Sequence, residues 1–262
     1  MWWCCNLYRI YNNDCLIQMP LLDDNSIDLI LCDLPYGTTQ CSWDTIIPFN
    51  SLWYQYNRIL KNTGNIVLFS SGKFTFDLFE SNKDSYRYKM IWSKNVPTGM
   101  SSAKYMPMKY YEEILIFKKP NSTVSEITYN PQQKERVGKH KECYNYTHYC
   151  GNSNHVTYEK IEKKYDPEKV NPSDVLSFNV VPNRNGKLHP TQKPVDLLEY
   201  LIRTYSNEND TVLDNCMGSG STGIACLRTK RNFIGIDSDE TYFEISKKRL
   251  AEEESKQRQK LF

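Results

Sequence analysis

A glycine-rich turn between two short apolar segments is the feature that most constrains the fold of this chain. The segments 211–213 and 233–236 are predicted to be buried strands, and the turn runs from Asp214 to Gly223. Glycine lets the backbone approach a ligand closely, and a helix that follows such a turn directs free N–H groups at an anion. Strand, turn, helix and strand in this order predict a βαβ unit with a ligand site at the turn.

Short apolar runs predict four further strands, over 27–32, 65–69, 89–92 and 114–117. Helical spacing of apolar residues predicts one helix over 51–60, one that begins at Pro194 and one over 241–253. Strands that alternate with helices predict an α/β fold, with a mainly parallel sheet covered by helices on both faces. A chain of 262 residues suits one such domain with a sizeable insertion.

The tetrapeptide Asp33-Leu34-Pro35-Tyr36 directly follows the predicted strand 27–32. A strand tip is rigid, so the Asp33 carboxylate can accept a hydrogen bond from an exocyclic amino group. The fixed φ of Pro35 would aim the Tyr36 ring at the face of a nucleobase. A turn after a buried strand also carries Asp and Pro for purely local reasons, so the tetrapeptide alone does not decide between these interpretations.

A dinucleotide-binding oxidoreductase is an alternative interpretation of the glycine-rich turn. Gly218, Gly220 and Gly223 satisfy the pattern G-x-G-x-x-G, and Asp237 ends the next predicted strand, where an acid can accept both hydrogen bonds of a ribose diol. Topology argues against this class, because only one strand follows the turn. A dinucleotide-binding fold usually begins with this turn and builds a second half after it.

Positive charge is concentrated between Lys118 and Lys193. This segment has 13 Lys or Arg against 8 Asp or Glu, whereas the whole chain has a net charge of only +2. Six tyrosines are interleaved with its cations, a mixture that suits phosphate neutralisation and base stacking, although a solvated loop would look similar. The candidate nucleic-acid contacts are Lys134, Arg136, Lys139, Lys141, Tyr144 and Tyr146.

The cysteines and apolar runs favour a reduced cytosolic protein without a membrane span. Four of the nine cysteines lie in or beside apolar runs, no signal peptide precedes them, and no apolar run is long enough to cross a bilayer. The spacing of a histidine and cysteine cluster over 140–155 matches no common zinc finger, so no metal site is predicted.

A third motif, His189-Pro190-Thr191-Gln192-Lys193, precedes the helix that begins at Pro194. It is either a polar loop or a cationic edge that holds the carboxylate end of an amino-acid-bearing cofactor. With these three motifs in this order, the chain resembles the β arrangement of amino-group DNA methyltransferases, from Asp14 to Tyr242. That family has Asp-Pro-Pro-Tyr where this chain has Leu34 second, and Asp-Pro-Phe-x-Gly-Ser-Gly where this chain has Asn215 and Cys216.

The resemblance implies a Rossmann-like S-adenosylmethionine-dependent methyltransferase fold with a circularly permuted motif order. Residues 1–118 and 188–262 would form the catalytic domain, and 119–187 an inserted target-recognition region. The implied activity is site-specific DNA adenine-N6 methylation of a flipped-out base, because cytosine-N4 enzymes of this family typically have Ser in place of Asp33. Cytosine-N4 methylation, methylation of RNA or a protein glutamine, and a non-catalytic DNA-binding subunit of a modification complex stay open as alternatives.

The resemblance also assigns residues. Catalysis falls to Asp33, Leu34, Pro35 and Tyr36, while Trp92, Lys94, Glu112 and Glu113 match family positions without an assigned role, Trp92 being expected in the core. S-adenosylmethionine would be contacted by Asp14, Cys32, His189, Pro190, Thr191, Gln192, Lys193, Asp214, Cys216, Met217, Gly218, Ser219, Gly220, Ser221, Thr222 and Asp237. The implied partner is double-stranded DNA in a prokaryotic or phage-infected cytoplasm; whether the protein dimerises or has a cognate restriction endonuclease stays open.

Overall fold

The computed structural model describes residues 7–38, 44–136, 168–182 and 192–259. The chain divides into two compact units, one formed by Met1–Asn130 with Asp174–Phe262 and the other by Pro131–Ser173. The larger unit holds a sheet with the strands β1 (Tyr8–Asn12), β2 (Ile27–Cys32), β3 (Leu60–Ser70), β4 (Tyr86–Thr98), β5 (Lys109–Lys118), β8 (Val175–Ser177), β9 (Thr211–Asp214) and β10 (Asn232–Asp237). In the smaller unit, β6 (Lys134–Glu135) pairs with β7 (Lys169–Val170).

The sheet has the strand order β1-β10-β9-β2-β3-β5-β4-β8. Among the described pairings of this eight-stranded sheet, those that involve β5 are antiparallel and the others are parallel, so the predicted mainly parallel sheet is confirmed. All six predicted strands are present, some of them longer than predicted. The sequence did not predict β1, whose apolar and polar residues are mixed, or β8, which is only three residues long.

Helices cover both faces of the sheet, as predicted. They are α1 (Cys15–Gln18), α2 (Phe49–Ile59), α3 (Lys73–Ser81), α4 (Val195–Tyr205), α5 (Ser221–Arg228) and α6 (Glu240–Gln259). Because successive side chains of a strand point to opposite faces, Leu29 and Leu31 of β2 pack in a core with α4 and α5, while Ile30 and Cys32 pack in a second core with α2 and α3. Each fully buried aliphatic side chain stabilises this arrangement by about 1.5–3 kcal/mol.

Four of the predicted site carboxylates lie at one edge of the sheet. Asp14 follows β1, Asp237 ends β10, Asp214 ends β9 and Asp33 follows β2, and these four strands are mutually parallel neighbours. The end of β4 and the beginning of β5 lie at the same edge, because β5 runs antiparallel to both β3 and β4. Ligands of open α/β sheets bind outside the carboxyl ends of the strands, so a ligand site is expected at this edge.

Parts of the predicted insertion 119–187 belong to the larger unit. The Thr128 N–H donates to the Thr63 carbonyl oxygen at 2.9 Å, and the Asn130 N–H donates to the Thr204 carbonyl oxygen at 2.8 Å. After the smaller unit, β8 adds to the sheet beside β4. None of the helices in the described residues is long and apolar enough to cross a lipid bilayer.

Candidate active site

The Asp33 carboxylate lies at the tip of β2 and accepts hydrogen bonds on both oxygens. The Tyr36 hydroxyl donates to Oδ1 at 2.8 Å, and the Lys193 ammonium forms a short ion pair with Oδ2. The Asp33 side chain is 21% exposed and the Lys193 side chain only 8%. Lys193 therefore contacts the tetrapeptide Asp33-Leu34-Pro35-Tyr36 directly, whereas the sequence interpretation had assigned it to the cofactor.

Glu112 of β5 extends this contact into a chain of alternating charges. Its Oε2 lies 3.4 Å from the Lys193 ammonium, and its Oε1 forms a short ion pair with Lys94 of β4, whose side chain is 4% exposed. The two ammonium groups also lie over aromatic rings, with Lys193 5.0 Å from the Phe69 centroid. Removing a single member of such a buried set would leave an uncompensated charge, so the four side chains form one electrostatic unit.

Burial and charge act against each other on these groups. Burial raises the pKa of Asp33 above its ordinary value, although Lys193 opposes this shift. Burial also acts to raise the pKa of Glu112, but Lys193 and Lys94 outweigh it and lower that pKa. For Lys193, burial favours the neutral amine, but Asp33 and Glu112 outweigh it and raise the pKa. Lys193 therefore keeps its charge and favours the ionised form of Asp33.

The remainder of the tetrapeptide is held by packing and by a turn. The Tyr36 ring stacks on Phe74 of α3, with a centroid separation of 4.8 Å, and Leu34 is 4% exposed. The backbone N–H groups of Gly37 and Thr38 each donate to the Asp44 carboxylate at 2.9 Å. This turn fixes the direction in which the chain leaves the strand tip, and it leaves one face of the Tyr36 ring turned away from Phe74.

The glycine-rich loop after β9 is held in place by hydrogen bonds to two carboxylates. Gly218 and Gly220 have φ values of 49° and 76°, in the left-handed region that favours glycine. The Gly218 N–H donates to Asp237 Oδ2 at 2.7 Å, and the Thr222 hydroxyl donates to Asp214 Oδ2 at 2.6 Å. Burial raises the pKa of Asp214 to about 6. The two carboxylates thereby define the shape of the loop from opposite ends.

Arg249 of α6 holds the same loop from outside, a role that the sequence interpretation missed. Its guanidinium forms a short hydrogen bond to the Ser219 carbonyl oxygen and also donates to the Ser219 hydroxyl at 3.1 Å and the Ser221 hydroxyl at 3.4 Å. The helical spacing of α6 gave no signal for this contact, because an arginine on an amphipathic helix is most often solvated.

Asn215 and Cys216 replace the Pro-Phe pair of the family motif, and the structure accommodates them with polar contacts. The buried Tyr56 hydroxyl of α2 donates to Asn215 Oδ1 at 2.5 Å. The side-chain amide of Asn215 also donates to Cys216 Sγ at 3.6 Å, and burial raises the pKa of the nearby Cys32 to about 12, so that it stays a neutral thiol. Packing at this position therefore relies on a hydrogen bond and on thiols in place of an aromatic ring.

Asp14 lies beside the end of β10. Its carboxylate accepts from the Leu16 N–H at 2.7 Å and thereby caps α1, while the Asn13 N–H donates to the Asp237 carbonyl oxygen at 3.0 Å. The Asp237 Oδ1 accepts from the Asp239 N–H at 2.9 Å, and burial raises the Asp237 pKa. Each carboxylate oxygen has about two lone pairs, so both groups keep acceptor capacity for a ligand.

The structure thus brings together Asp14, Cys32, Asp33, Leu34, Pro35, Tyr36, Lys193, Asp214, Cys216, Asp237 and the loop Met217–Thr222 at one sheet edge. Gln192 directly precedes Lys193 in the chain. Lys134 is exposed in β6, and the Arg136 N–H donates to the Glu168 carbonyl oxygen at 2.6 Å, both within the smaller unit. The predicted contacts His189, Pro190, Thr191, Lys139, Lys141, Tyr144 and Tyr146, and the cluster over 140–155, lie outside the described residues.

Two members of the charge chain that includes Asp33 and Lys193 were noted in the sequence without an assigned role. Lys94 and Glu112 matched family positions, but their pairing across β4 and β5 depends on strand register, which cannot be read from the sequence alone. Trp92, expected in the core, is 3% exposed.

A carboxylate motif at a strand tip beside a glycine-rich loop, on a Rossmann-like α/β sheet, is typical of enzymes that bind a nucleotide-derived cofactor. Comparison with known proteins identifies the family: the chain belongs to the N6/N4 DNA methylase family, whose model matches residues 27–248. It is 49% identical to the type II methyltransferase M2.DpnII of Streptococcus pneumoniae, over 95% of this chain and 91% of that protein. Identity to the type II methyltransferase M.HpaI of Haemophilus parainfluenzae is 30%, over 94% and 74% of the two chains.

A solved structure supports the same fold. The crystal structure of the M1.HpyAVI–SAM complex superposes with a TM-score of 0.62 and 25% identity, over 93% of this chain and 98% of that chain. The predicted family and the predicted Rossmann-like methyltransferase fold are therefore confirmed.

Proposed function

We propose that this protein is a site-specific DNA adenine-N6 methyltransferase that transfers a methyl group from S-adenosylmethionine to a flipped-out adenine. The observation that carries the proposal is the adjacency of the two motifs. Asp33 follows β2 and the glycine-rich loop follows β9, and these strands are parallel neighbours with Ile30 opposite Leu213. An amino group held at Asp33 would therefore face a cofactor held at the loop.

The residues at this edge fit S-adenosylmethionine. The positive φ values of Gly218 and Gly220 open the loop for close backbone approach, and Asp237 keeps lone pairs for a ribose diol. Asp14 stands beside Asp237, where it can accept from the cofactor's adenine. When bound, S-adenosylmethionine supplies an electrophilic methyl group on a sulfonium centre.

The tetrapeptide would position and polarise the target amino group. An adenine N6 lone pair is delocalised into the ring, so hydrogen bonds that pull on its two hydrogens make the nitrogen a better nucleophile. The Asp33 carboxylate and the Leu34 carbonyl oxygen would accept those hydrogens. Burial raises the Asp33 pKa and so strengthens the carboxylate as an acceptor, and the face of the Tyr36 ring opposite Phe74 would stack on the base.

A stacked base cannot reach this motif, since Asp33 is only 21% exposed and lies at a strand tip. The target would therefore leave the duplex, and stacking on Tyr36 would offset part of the unstacking cost. Asp33 in place of Ser favours adenine over cytosine. A non-catalytic subunit is disfavoured because Asp33, Tyr36 and the loop glycines are all present with their supporting contacts.

The segment 119–187 would supply DNA recognition, with Lys134, Arg136, Lys139, Lys141, Tyr144 and Tyr146 as candidate contacts. The protein would act in the cytoplasm, where prokaryotic DNA is found. Whether the protein forms a homodimer and whether a cognate restriction endonuclease exists both stay open, and light scattering of the purified protein would measure the oligomeric state.

Nucleoside mass spectrometry of DNA treated with the purified protein and S-adenosylmethionine tests the proposal. We expect N6-methyladenine, which disappears with Asp33→Ala while S-adenosylmethionine binding is retained. Asp77→Ala, which changes a surface carboxylate of α3, is the matched control and should keep full activity. N4-methylcytosine as the product, or unchanged transfer by Asp33→Ala, would reject the assignment. Long-read sequencing of DNA from expressing cells would then give the recognition sequence.

A further inference from the structure

An arm that joins β4 to β5 exposes an unusual number of apolar and aromatic side chains. This hairpin arm comprises residues 95–111. At its base Ser93 pairs with Tyr111, and after a shift of register Thr98 pairs with Lys109. Its most exposed large side chains are Tyr105 at 88%, Met100 at 73%, Met106 and Tyr110 at 54%, Tyr111 at 53% and Val96 at 50%. Isolated exposed apolar residues are ordinary, but six within one short segment indicate a surface that contacts a partner.

The arm begins and ends at the candidate active site. Lys94 immediately precedes it and Glu112 immediately follows it, and these two side chains pair with each other and, through Lys193, with Asp33. The Lys109 ammonium, within the arm, lies close to Gly72, which follows β3 at the same edge of the sheet. A macromolecule that delivers a group to Asp33 would therefore meet this arm.

The charge of the arm favours a nucleic acid over a protein. Residues 95–111 include two cations, Lys104 and Lys109, and no Asp or Glu. A two-fold contact between the arms of two copies would bring like charges together without a compensating carboxylate. Phosphates, in contrast, are neutralised by lysines, and bases stack on tyrosine rings or accept methionine as a wedge between steps.

We propose that the hairpin arm is a second DNA-contacting surface, separate from the segment 119–187, which stacks on bases next to the flipped target. Tyr105 and Tyr110 supply the stacking surface, and Lys104 and Lys109 contact backbone phosphates. The inference rests on the proposed function, since it concerns how that site receives its DNA. Because every base has a stacking face, the arm contributes to affinity and to base extrusion without reading sequence.

The test compares arm variants with a control of similar exposure in the same protein. Tyr105→Ala/Tyr110→Ala removes two rings from the arm, whereas Tyr54→Ala removes a ring that is 67% exposed on α2. Binding of a fluorescein-labelled duplex with the recognition sequence is measured by anisotropy, and 2-aminopurine at the target position reports extrusion of the base. Melting temperature and S-adenosylmethionine affinity establish that each variant is folded with an intact cofactor site.

We expect the double variant to bind the duplex at least tenfold more weakly, because base–aromatic stacking is worth about fivefold to a hundredfold per base. The 2-aminopurine signal should fall in parallel, and Tyr54→Ala should match the unsubstituted protein. For Lys104→Ala/Lys109→Ala, the slope of log K against log salt should become shallower by about 1.4–1.8, the value for two phosphate contacts.

Unchanged DNA affinity in both arm variants would overturn the proposal. So would light scattering that shows the arm variants to be monomers of a protein that is otherwise a dimer, because the arm would then contact a second copy. Failure of the proposed function looks different: the unsubstituted protein would then form no N6-methyladenine in any DNA. An active enzyme with unaffected arm variants would reject the arm alone.

Discussion

Substitution of Lys193 by methionine gives the sharpest test of the charge chain at the site. Methionine preserves most of the side-chain volume and removes the ammonium group that lies between Asp33 and Glu112. The two carboxylates would then share a buried region with only Lys94 as a cation. We expect the acidic form of Asp33 to become more stable, and a protonated Asp33 accepts hydrogen bonds poorly from an amino group.

The structure sets the size of the effect. Two unit charges about 4 Å apart at an effective dielectric constant of about 20 interact by about 4 kcal/mol, an upper bound that relaxation reduces. A neighbouring cation typically lowers a carboxylate pKa by about 1–3 units, so losing it should move the acid limb of the pH–rate profile up by about that amount. Each pH unit below the shifted limb reduces the rate about tenfold.

The assay is kcat/KM for methyl transfer between pH 5 and 9.5, with Lys193→Arg as the control. Arginine keeps the charge, so its acid limb should stay near that of the unsubstituted protein even if its rate falls. Activity of Lys193→Met should recover at high pH, which a merely misfolded site would not do. A Lys193→Met profile that is lowered uniformly, without displacement of its acid limb, would refute the electrostatic reasoning.

Three further outcomes are expected. Gly220→Ala should destabilise the fold by about 1–3 kcal/mol and weaken S-adenosylmethionine binding, because φ is 76° and a Cβ would lie 2.9 Å from the Ser246 Cβ; thermal melting and calorimetry would measure both. Arg249→Ala should raise the KM for S-adenosylmethionine more than it lowers kcat, since it frees the loop at Ser219 without touching Asp33. Burial raises the pKa of Asp214 from 3.8 to about 6 in the folded state, so the folded protein binds this proton more tightly than the unfolded chain does. The free energy of unfolding should therefore fall by on the order of 3 kcal/mol as pH rises from about 4 to about 6. Urea unfolding across that range should show a flatter dependence for Asp214→Asn.

The fold was predictable because its buried strands carry a strong local signal. The run 114–117 is apolar, the run 27–32 is apolar except for Asp28, and a glycine-rich turn followed by a helix leaves few alternatives. Strand β1 escaped prediction because it lies at an edge of the sheet and its exposed and half-buried residues do not alternate regularly. Its place beside β10 depends on pairing between residues more than 200 positions apart, which no local pattern encodes.

Candidate site residues could be recognised in the sequence only where they are consecutive. The tetrapeptide and the glycine loop are contiguous, so their residue types could be recognised. The contacts of Lys193 with Asp33, 160 positions away, and of Arg249 with Ser219 arise from packing of distant elements. Side-chain pairing of that kind depends on register and rotamers, and the order of residues along the chain does not determine it by itself.

The hydrogen bond between Tyr56 and Asn215 has a consequence for how this sequence can vary. The two side chains are 159 positions apart, both are fully or almost fully buried, and the hydroxyl donates to the amide oxygen. Loss of either group alone leaves the other without a hydrogen-bond partner and lowers the free energy of unfolding by about 1–3 kcal/mol. Joint replacement by apolar groups of similar shape costs much less. Evolution is therefore expected to change these two positions together, and homologues with a hydrophobic residue at one should have lost the polar group at the other.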